Sequence, residues 1–161
     1  TLHRPSNVDV PETLNILLDE LKAVSLEMDI LWPLHPRTKA RIQSIGRMDE
    51  LIDNPAIHLM GPLGYIDFMN GIMHSNCVIT DSGGIQEETT WLGVPCITLR
   101  PNTERPITIS QGTNVLASPK TLQSELIRLR KEGPPIREEI EYWDGKTAQR
   151  CVQSLEQFLW R

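Results

Sequence analysis

The chain has 161 residues, 21 acidic against 16 basic side chains, and a formal net charge of −5. Its length suits one domain with a hydrophobic core, and its negative charge argues against a nucleic-acid-binding surface. With only 5 % aromatic residues, no apolar run of transmembrane length and no signal-peptide pattern, we expect neither base-stacking platforms nor membrane contact.

The first half of the chain predicts strands that alternate with helices. Thr1-Leu2-His3 has the character of a strand end, and we expect that the chain was cut from a longer protein. The polar residues 6–9 are predicted as a loop. Leucines at positions 14, 17, 18 and 21 share one helical face, so a helix is predicted over 11–24. There follow a strand at 29–32, a helix over 37–52 broken at Gly46, a strand at 57–60 and a helix over 66–73.

The second half continues the alternation. A strand is predicted at 77–80, and a helix over 85–92 that Gly93 ends. The remaining elements are a strand at 95–100, a short helical piece within 103–112, a strand at 114–117, and two helices over 120–131 and 146–160. About six alternations predict an α/β fold, in which helices cover both faces of one parallel sheet. Residues 1–161 form a single domain in this interpretation.

Three cysteines, Cys77, Cys96 and Cys151, lie far apart in the sequence. Two of them fall in predicted buried strands, which favours core thiols in a reducing compartment over disulfides. We therefore expect a cytoplasmic protein. No ligand cluster has the spacing of a metal site, so we expect no metal.

The turn after the third internal strand carries the strongest functional signal. Ligands of parallel sheets bind beyond the carboxyl ends of the strands. There, Gly83 and Gly84 permit positive φ and a close approach of a ligand to the backbone, and the free N–H groups of the following helix suit a phosphate. Ser82 adds a hydroxyl donor, and Glu88 is placed one turn further on to accept from a sugar hydroxyl. A glycine pair alone more often marks an ordinary turn, so this interpretation depends on the sheet around it.

Simpler roles exist for several of these residues. His35, between two prolines, could cap a helix, and Phe68 on an apolar face could belong to the core. Glu87 and Glu88 point about 100° apart on a helix and do not converge on one proton. Asp81 is interpreted as orienting the turn. Glu104 and Arg105 form a candidate ion pair, with Arg105 or Arg100 near a phosphate as the alternative.

The residues at the strand ends resemble one family. The segments that carry the resemblance are Thr1-Leu2-His3-Arg4-Pro5-x-Asn7, Pro33-x-His35-Pro36, Asp81-Ser82-Gly83-Gly84-Ile85-Gln86-Glu87-Glu88, Gly93-x-Pro95 and Arg100-x-x-Thr103-Glu104-Arg105-Pro106. Together they are similar to the C-terminal half of the non-hydrolysing UDP-N-acetylglucosamine 2-epimerases. The resemblance spans nearly the whole chain and implies the Rossmann-like C-terminal domain of a two-domain GT-B enzyme, which binds nucleotide between its domains.

The resemblance also implies roles for individual residues. Ser82, Gly83 and Gly84 would bind the diphosphate of UDP, and Glu88 the ribose. His3 would reach the UDP and act in catalysis, and Phe68 would lie near the uracil. Arg4 and His35 match family positions that bind a second, activating UDP-GlcNAc.

The implied chemistry interconverts UDP-GlcNAc and UDP-ManNAc by elimination and re-addition of UDP, without a cofactor. The catalytic carboxylates are expected in an N-terminal domain outside this sequence, so this chain alone is expected to be inactive. The full-length enzyme is expected to be a homodimer. Two alternatives stay open: the donor-binding half of a GT-B glycosyltransferase, and a non-catalytic sugar-nucleotide sensor domain.

Overall fold

Short parallel strands alternate with helices along the chain in a computed structural model that describes residues 1–133, 135 and 138–159. The strands are β1 (Ile30–Pro33), β2 (Ile57–Met60), β3 (Val78–Thr80), β4 (Cys96–Leu99) and β5 (Asn114–Ala117). The helices are α1 (Pro5–Val8), α2 (Pro11–Ser25), α3 (Pro36–Ser44), α4 (Met48–Ile52), α5 (Tyr65–Met73), α6 (Gly83–Leu92), α7 (Ile107–Ser110), α8 (Leu122–Glu132) and α9 (Thr147–Leu159). A 3₁₀ turn at Pro119–Thr121 leads into α8. The predicted α/β class is confirmed.

The strands form two hydrogen-bonded sheets, not the single sheet that the alternation predicts. β1 pairs with β2, beginning at Ile30 opposite Ile57, and β3, β4 and β5 pair in that order; all pairs are parallel. The expected strand at Thr1–His3 is not formed, which leaves five strands among the described residues. Its backbone does reach β3, because the Thr1 amino group donates to the Ile79 carbonyl at 2.8 Å. The backbone N–H groups of His3 and Arg4 donate to the Asp81 carboxylate and not to a strand.

One main hydrophobic core joins the two sheets. The predicted apolar face of α2 is confirmed, since Leu14, Leu17, Leu18 and Leu21 are all buried. They pack in one cluster with side chains from both sheets, such as Trp32 and Leu99. All four residues of β4 are buried, as expected for a parallel strand that helices cover on both faces.

Most element predictions hold within a residue or two, and the exceptions have local causes. Residues 6–9, predicted as a loop, lie largely in α1, where Pro5 starts a helical turn and Asn7 and Val8 are buried. The predicted break at Gly46 separates α3 from α4, and this glycine adopts a φ of 72° that other residues rarely adopt. The final helix is described to Leu159, and Trp160 lies outside the described residues.

The three cysteines are free thiols. Burial raises the pKa of Cys77 to about 12 and that of Cys96 to about 11, so both remain protonated at neutral pH. Cys151 is exposed on α9. Among the described helices, none combines the length and the apolar character needed to cross a bilayer.

Gly112 is expected to tolerate no side chain. A Cβ there would lie 2.6 Å from Thr90 Oγ1 and still closer to the backbone oxygen of Thr108. We expect Gly112→Ala to lower the free energy of unfolding by about 2–3 kcal/mol, because a packed backbone must shift. Thermal unfolding measures this loss, as a fall in the midpoint of roughly 5–10 °C.

Gly71→Ala is the matched control for Gly112→Ala. Gly71 lies within α5, and nothing stands within 4 Å of its added Cβ. Alanine is favoured over glycine inside a helix by up to about 1 kcal/mol, so this variant should be at least as stable as the parent chain. Equal midpoints for the two variants would contradict the expected clash at Gly112.

Candidate functional site

Asp81 joins the N-terminal segment to the end of β3. Its side chain is fully buried. Its carboxylate accepts from the backbone N–H of His3 at 3.0 Å, from that of Arg4 at 2.9 Å and from Asn7 Nδ2 at 3.0 Å. Asn7 Nδ2 also donates to the Leu99 carbonyl at the end of β4. One carboxylate therefore fixes the N-terminal segment and the start of α1 to the ends of β3 and β4, which is more than the orienting role that the sequence predicts.

The same carboxylate orients His3. Its Nδ1 lies 3.1 Å from Asp81 Oδ1, and the imidazole is 39 % exposed. A ring that donates from Nδ1 to a carboxylate leaves Nε2 free for another partner. The His35 ring lies 5.3 Å from that of His3, centroid to centroid, so the segment that follows β1 meets the N-terminal segment, as predicted.

His35 also caps a helix, the simpler of the two roles considered for it. Its Nδ1 accepts from the Arg37 backbone N–H at 3.2 Å at the start of α3. Arg4 follows His3 in the chain, and its Nε donates to the Asp81 carbonyl at 3.1 Å. Both residues lie close to His3, and their binding of a second nucleotide sugar stays a prediction.

The turn at Ser82 opens directly into α6. The Ser82 backbone N–H donates to Thr80 Oγ1 at 3.1 Å, and no side chain caps the helix. The first N–H groups of a helix have no intrahelical partner, so those of this first turn are available to an anion. Gly83 and Gly84 are not in the positive-φ region, so the expectation based on that freedom is wrong. An added Cβ at Gly84 would meet nothing within 4 Å, so the space beside its backbone is open, and the approach of a ligand there stays a prediction.

A buried polar network supports this turn from behind. Gln86 is fully buried, and its Nε2 donates to the Ser82 carbonyl at 3.0 Å. Its Oε1 accepts from Thr103 Oγ1 at 2.6 Å and from Asn114 Nδ2 at 3.1 Å. Gln86 thereby connects the start of α6, the loop after β4 and the start of β5.

Two arginines near the turn are paired with carboxylates. Arg100 is buried, and its two terminal nitrogens contact Glu104 at 2.8 and 2.7 Å. These bonds lower the pKa of Glu104 to about 2, so its carboxylate is charged at all ordinary pH values. Arg105 Nε lies 3.0 Å from Glu87 Oε2, so the expected ion pair between Glu104 and Arg105 is replaced by two others. A phosphate contact of either arginine stays a prediction.

Glu88 faces a cavity of about 380 Å³ beside α6. Aromatic side chains from α5, α6 and the segment before α9 share its walls, namely Tyr65, Trp91, Tyr142 and Trp143. Phe68 is not among the residues that line this cavity. It packs against the small core cluster of Ile72, Val78, Ile85 and Val94, the alternative considered for it. The structure thus brings Tyr65, rather than Phe68, to the Glu88 side of α6.

Sequence reasoning missed Gln86, Asn114 and Tyr65. A glutamine or asparagine gives no signal of burial when its partners lie 17 to 28 residues away. Tyr65 lies three positions before Phe68 in the same helix. Because this short helix has apolar residues on several sides, its sequence does not show which side faces the cavity. The described residues include no group of three or more His, Cys, Asp or Glu side chains arranged to hold a metal ion.

These features define a class of protein: a parallel α/β domain with an uncapped helix start, a buried carboxylate that pairs with a partly exposed histidine, and a cavity beside α6 that a glutamate lines. The family profile described as UDP-N-acetylglucosamine 2-epimerase matches residues 1–156. The chain belongs to the UDP-N-acetylglucosamine 2-epimerase family.

Individual relatives agree with this assignment. The chain is 37 % identical to a UDP-N-acetylglucosamine 2-epimerase of Methanocaldococcus jannaschii over 160 residues, which cover 96 % of this chain and 43 % of that protein. It is 35 % identical over 117 residues to the UDP-2,3-diacetamido-2,3-dideoxy-D-glucuronate 2-epimerase of Pseudomonas aeruginosa, covering 72 % of this chain and 31 % of that protein. The chain therefore spans less than half the length of these relatives.

A solved structure has the same fold. The crystal structure of the M. jannaschii UDP-GlcNAc 2-epimerase in complex with UDP-GlcNAc and UDP matches with a TM-score of 0.85 and 34 % identity. The match covers 97 % of this chain and 44 % of that one. The predicted GT-B relationship is confirmed at the level of the fold.

Proposed function

We propose that this chain is the nucleotide-binding half of a UDP-N-acetylglucosamine 2-epimerase and that it binds the UDP part of UDP-GlcNAc. The observation that carries the proposal is the uncapped start of α6 beside the oriented His3. Backbone N–H groups and an imidazole suit a diphosphate. The M. jannaschii structure, which contains UDP-GlcNAc and UDP, supports the proposal through its similarity to this chain.

In the proposed reaction, UDP leaves C1 of the sugar while a base removes the proton from C2, which gives 2-acetamidoglucal. Return of a proton to the other face of C2 and of UDP to C1 inverts the configuration at C2. This chain would stabilise the departing diphosphate through the N–H groups of Gly83 and Gly84 and through His3, because charge develops there as the C1–O bond breaks. Ser82 would add a hydroxyl donor.

The other components of the proposed enzyme lie outside this sequence. An N-terminal domain would supply the carboxylates that remove and return protons, so the chain alone would be inactive, and the complete enzyme would be a homodimer. Glu88 would accept from the ribose hydroxyls, and the uracil would lie in the aromatic cavity beside α6. Arg4 and His35 would contribute to a second, activating site for UDP-GlcNAc.

Calorimetry of this chain with UDP, and with ADP for comparison, tests the proposal. We expect UDP to bind more tightly, Ser82→Ala to weaken UDP about tenfold, and Glu88→Ala to weaken it by about tenfold or more, through lost hydrogen bonds. Gly84→Ala should weaken UDP as well, because its methyl group would occupy space next to the helix N–H groups.

Two control variants accompany this titration. Gly71→Ala adds the same methyl group in an open part of α5, and Glu12→Ala removes an exposed glutamate from the first turn of α2. Neither should change UDP affinity. Equal affinity for ADP and UDP would be consistent with diphosphate binding at the Ser82 turn but would contradict the proposed specificity for uridine.

A second substrate remains a candidate because of the P. aeruginosa relative. That protein acts on a UDP-2,3-diacetamido-2,3-dideoxy-D-glucuronate, so relatives of this chain differ in the sugar while sharing UDP. A full-length enzyme given both nucleotide sugars would separate the candidates. If only the diacetamido-glucuronate sugar nucleotide were epimerised, it and not UDP-GlcNAc would be the substrate. The proposed role of this chain in binding UDP would be unchanged.

A further inference from the structure

The cavity beside α6 holds a large share of the chain's aromatic side chains. The chain has two phenylalanines, two tyrosines and four tryptophans, and four of these residues line this one cavity, namely Tyr65, Trp91, Tyr142 and Trp143. Tyr65, Trp91 and Tyr142 are 64 %, 48 % and 63 % exposed. Because they come from three separate parts of the fold and stay largely in water, core packing does not explain them, and their grouping indicates a flat ligand.

The spacing of residues along α6 connects this cavity to the Ser82 turn. Gly84, Glu88 and Trp91 stand at positions i, i+4 and i+7, so they lie on one face of the helix. Glu88 lies about 6 Å beyond Gly84 along the helix axis, at about 1.5 Å per residue. A ribose spans a similar distance between a phosphate and a base. A nucleotide with its diphosphate at the turn would therefore bring its base to the aromatic end of this face.

Tyr142 has a backbone conformation that tyrosine rarely adopts. Its φ is 66°, and every other residue with a positive φ among those that the structure describes is a glycine. This left-handed region is unfavourable for a residue with a bulky side chain. Such residues persist in it only where surrounding contacts fix them, and they are frequent at ligand sites.

Arg150, from α9, fixes Tyr142 through both its backbone and its ring. Its Nη2 donates to the Tyr142 carbonyl at 2.8 Å, and its guanidinium carbon lies 5.0 Å from the centre of the Tyr142 ring. Asp144 accepts two bonds from the guanidinium, at 3.0 and 2.9 Å, and its Oδ1 also accepts from the Lys146 backbone N–H. Because Asp144 holds the guanidinium in one orientation, the Tyr142 ring beneath it is held as well.

The segment that carries Tyr142 is also attached to the body of the domain. The Glu138 backbone N–H donates to the Gln111 carbonyl at 2.9 Å at the end of α7, and the Ile140 side chain is buried. The Trp143 backbone N–H donates to the Ile140 carbonyl at 3.1 Å, which closes a turn around Tyr142. The turn thus presents Tyr142 to the cavity in a defined place.

We propose that Tyr142 is a base-stacking residue, whose ring lies against the base of the bound nucleotide, and that Arg150 and Asp144 are positioning residues for that ring. An aromatic face stacks on a base of any kind and adds affinity without identifying the base. This proposal rests on the proposed function, since a base reaches the cavity only if the diphosphate binds at the Ser82 turn. It adds the segment before α9, which is distant from α6 in the sequence, to the nucleotide site.

Substitutions at Tyr142 test the proposal with three probes, which are UDP, uridine and inorganic pyrophosphate. Tyr142→Gly removes the ring and suits the positive φ, so we expect the unfolding midpoint to stay the same or to rise by up to about 3 °C. Uridine and UDP should each bind about tenfold more weakly, whereas pyrophosphate, which has no base, should bind as before. Tyr142→Phe keeps the ring and should retain the affinity for UDP and uridine within about twofold.

Glu141→Gly is the matched control, because it places a glycine next to Tyr142 and leaves the ring in place. Glu141 is exposed and is not among the residues that line the cavity, so this variant should bind uridine within about twofold of the parent chain. Calorimetry measures UDP and pyrophosphate, and the fluorescence of Trp91 and Trp143 in the cavity reports uridine. An equal loss in Glu141→Gly would assign the effect to the order of the segment and overturn the stacking role of Tyr142.

Arg150→Ala tests the positioning role. It should weaken uridine about fivefold in the parent chain but cause no further loss in Tyr142→Gly, because Arg150 acts only through the Tyr142 ring. Its affinity for pyrophosphate should not change. A further loss in the double variant would mean that Arg150 contacts the nucleotide itself, which would overturn its positioning role.

Failure of the stacking role and failure of the proposed function give different results. If UDP binds the parent chain and Tyr142→Gly equally well, the stacking role is overturned and the proposed function stands. If pyrophosphate binding falls as much as uridine binding in Tyr142→Gly, the variant disturbs the whole site, and the stacking role is again overturned. If neither UDP nor pyrophosphate binds the parent chain, the proposed function fails, and the stacking role fails with it.

Discussion

Replacing Asp81 with alanine is expected to lower the free energy of unfolding by about 3–5 kcal/mol, the largest loss we expect from a single substitution in this chain. The carboxylate is fully buried and accepts from two backbone N–H groups and from Asn7 Nδ2. Alanine would leave these donors buried without an acceptor. Each such donor costs about 1–3 kcal/mol, and partial access of water limits the sum.

Asp81→Asn separates the hydrogen bonds from the volume of the side chain. The amide keeps one accepting oxygen, but its NH₂ group faces donors that it cannot satisfy. We expect a loss of about 2–3 kcal/mol and weaker UDP binding by the folded variant, because His3 would lose the partner that fixes its ring. Urea unfolding and calorimetry measure the two effects separately.

Asp53→Ala is the control for Asp81→Ala. Asp53 is exposed at the end of α4, and its removal should change stability by less than about 0.5 kcal/mol. If Asp81→Ala were as mild as this control, Asp81 would not organise the N-terminal segment. The hydrogen bonds of His3 and Arg4 would then have to find other acceptors without cost.

The features that the sequence predicts well are those that short-range chemistry determines. The leucine spacing of α2 produces a buried face whatever surrounds it, because the helix must bury its apolar side. Gly46 and Gly93 end helices with φ near 73°, a conformation that glycine adopts without strain. β2 and β5 are apolar runs bounded by turns, and their predicted limits agree with the structure.

The features that the sequence does not predict depend on partners distant in the chain. Asp81 lies 78 residues from His3, and a single aspartate after a strand gives no sign of how many donors converge on it. The break in the sheet has the same origin. Residues 1–3 form a strand only if their backbone pairs with neighbouring strands. The local pattern of apolar residues carries no information about that pairing.

The sequence predicts which residues meet at the candidate site better than it predicts the contacts that their side chains make. Strand ends gather at one edge in any parallel sheet, so the proximity of His3, His35 and Asp81 follows from topology. The pairing of Arg100 with Glu104, and of Arg105 with Glu87, depends on loop geometry instead. Loop geometry also determines which side of α5 faces Glu88.

Replacing Gln86 with leucine is expected to cost about 2–4 kcal/mol of stability and to weaken UDP binding about tenfold. Leucine fills a similar volume but leaves the Asn114 amide and the Thr103 hydroxyl without their acceptor, and Ser82 O without its donor. Gln43→Leu, on the exposed side of α3, is the matched control and should change neither quantity.

Gln86→Glu separates the functional part of this effect from the structural part. Glutamate keeps an accepting oxygen for Thr103 and Asn114, but it cannot donate to the Ser82 carbonyl, and it places a negative charge behind the turn that is proposed to bind the diphosphate. If Gln86 positions the turn, Gln86→Glu should weaken UDP more than uridine, because in the proposed site the diphosphate contacts that turn and the nucleoside does not. A parallel loss for UDP and uridine would mean that Gln86 supports the domain as a whole and not the phosphate turn. The test thus decides whether the buried network behind α6 belongs to the core or to the site.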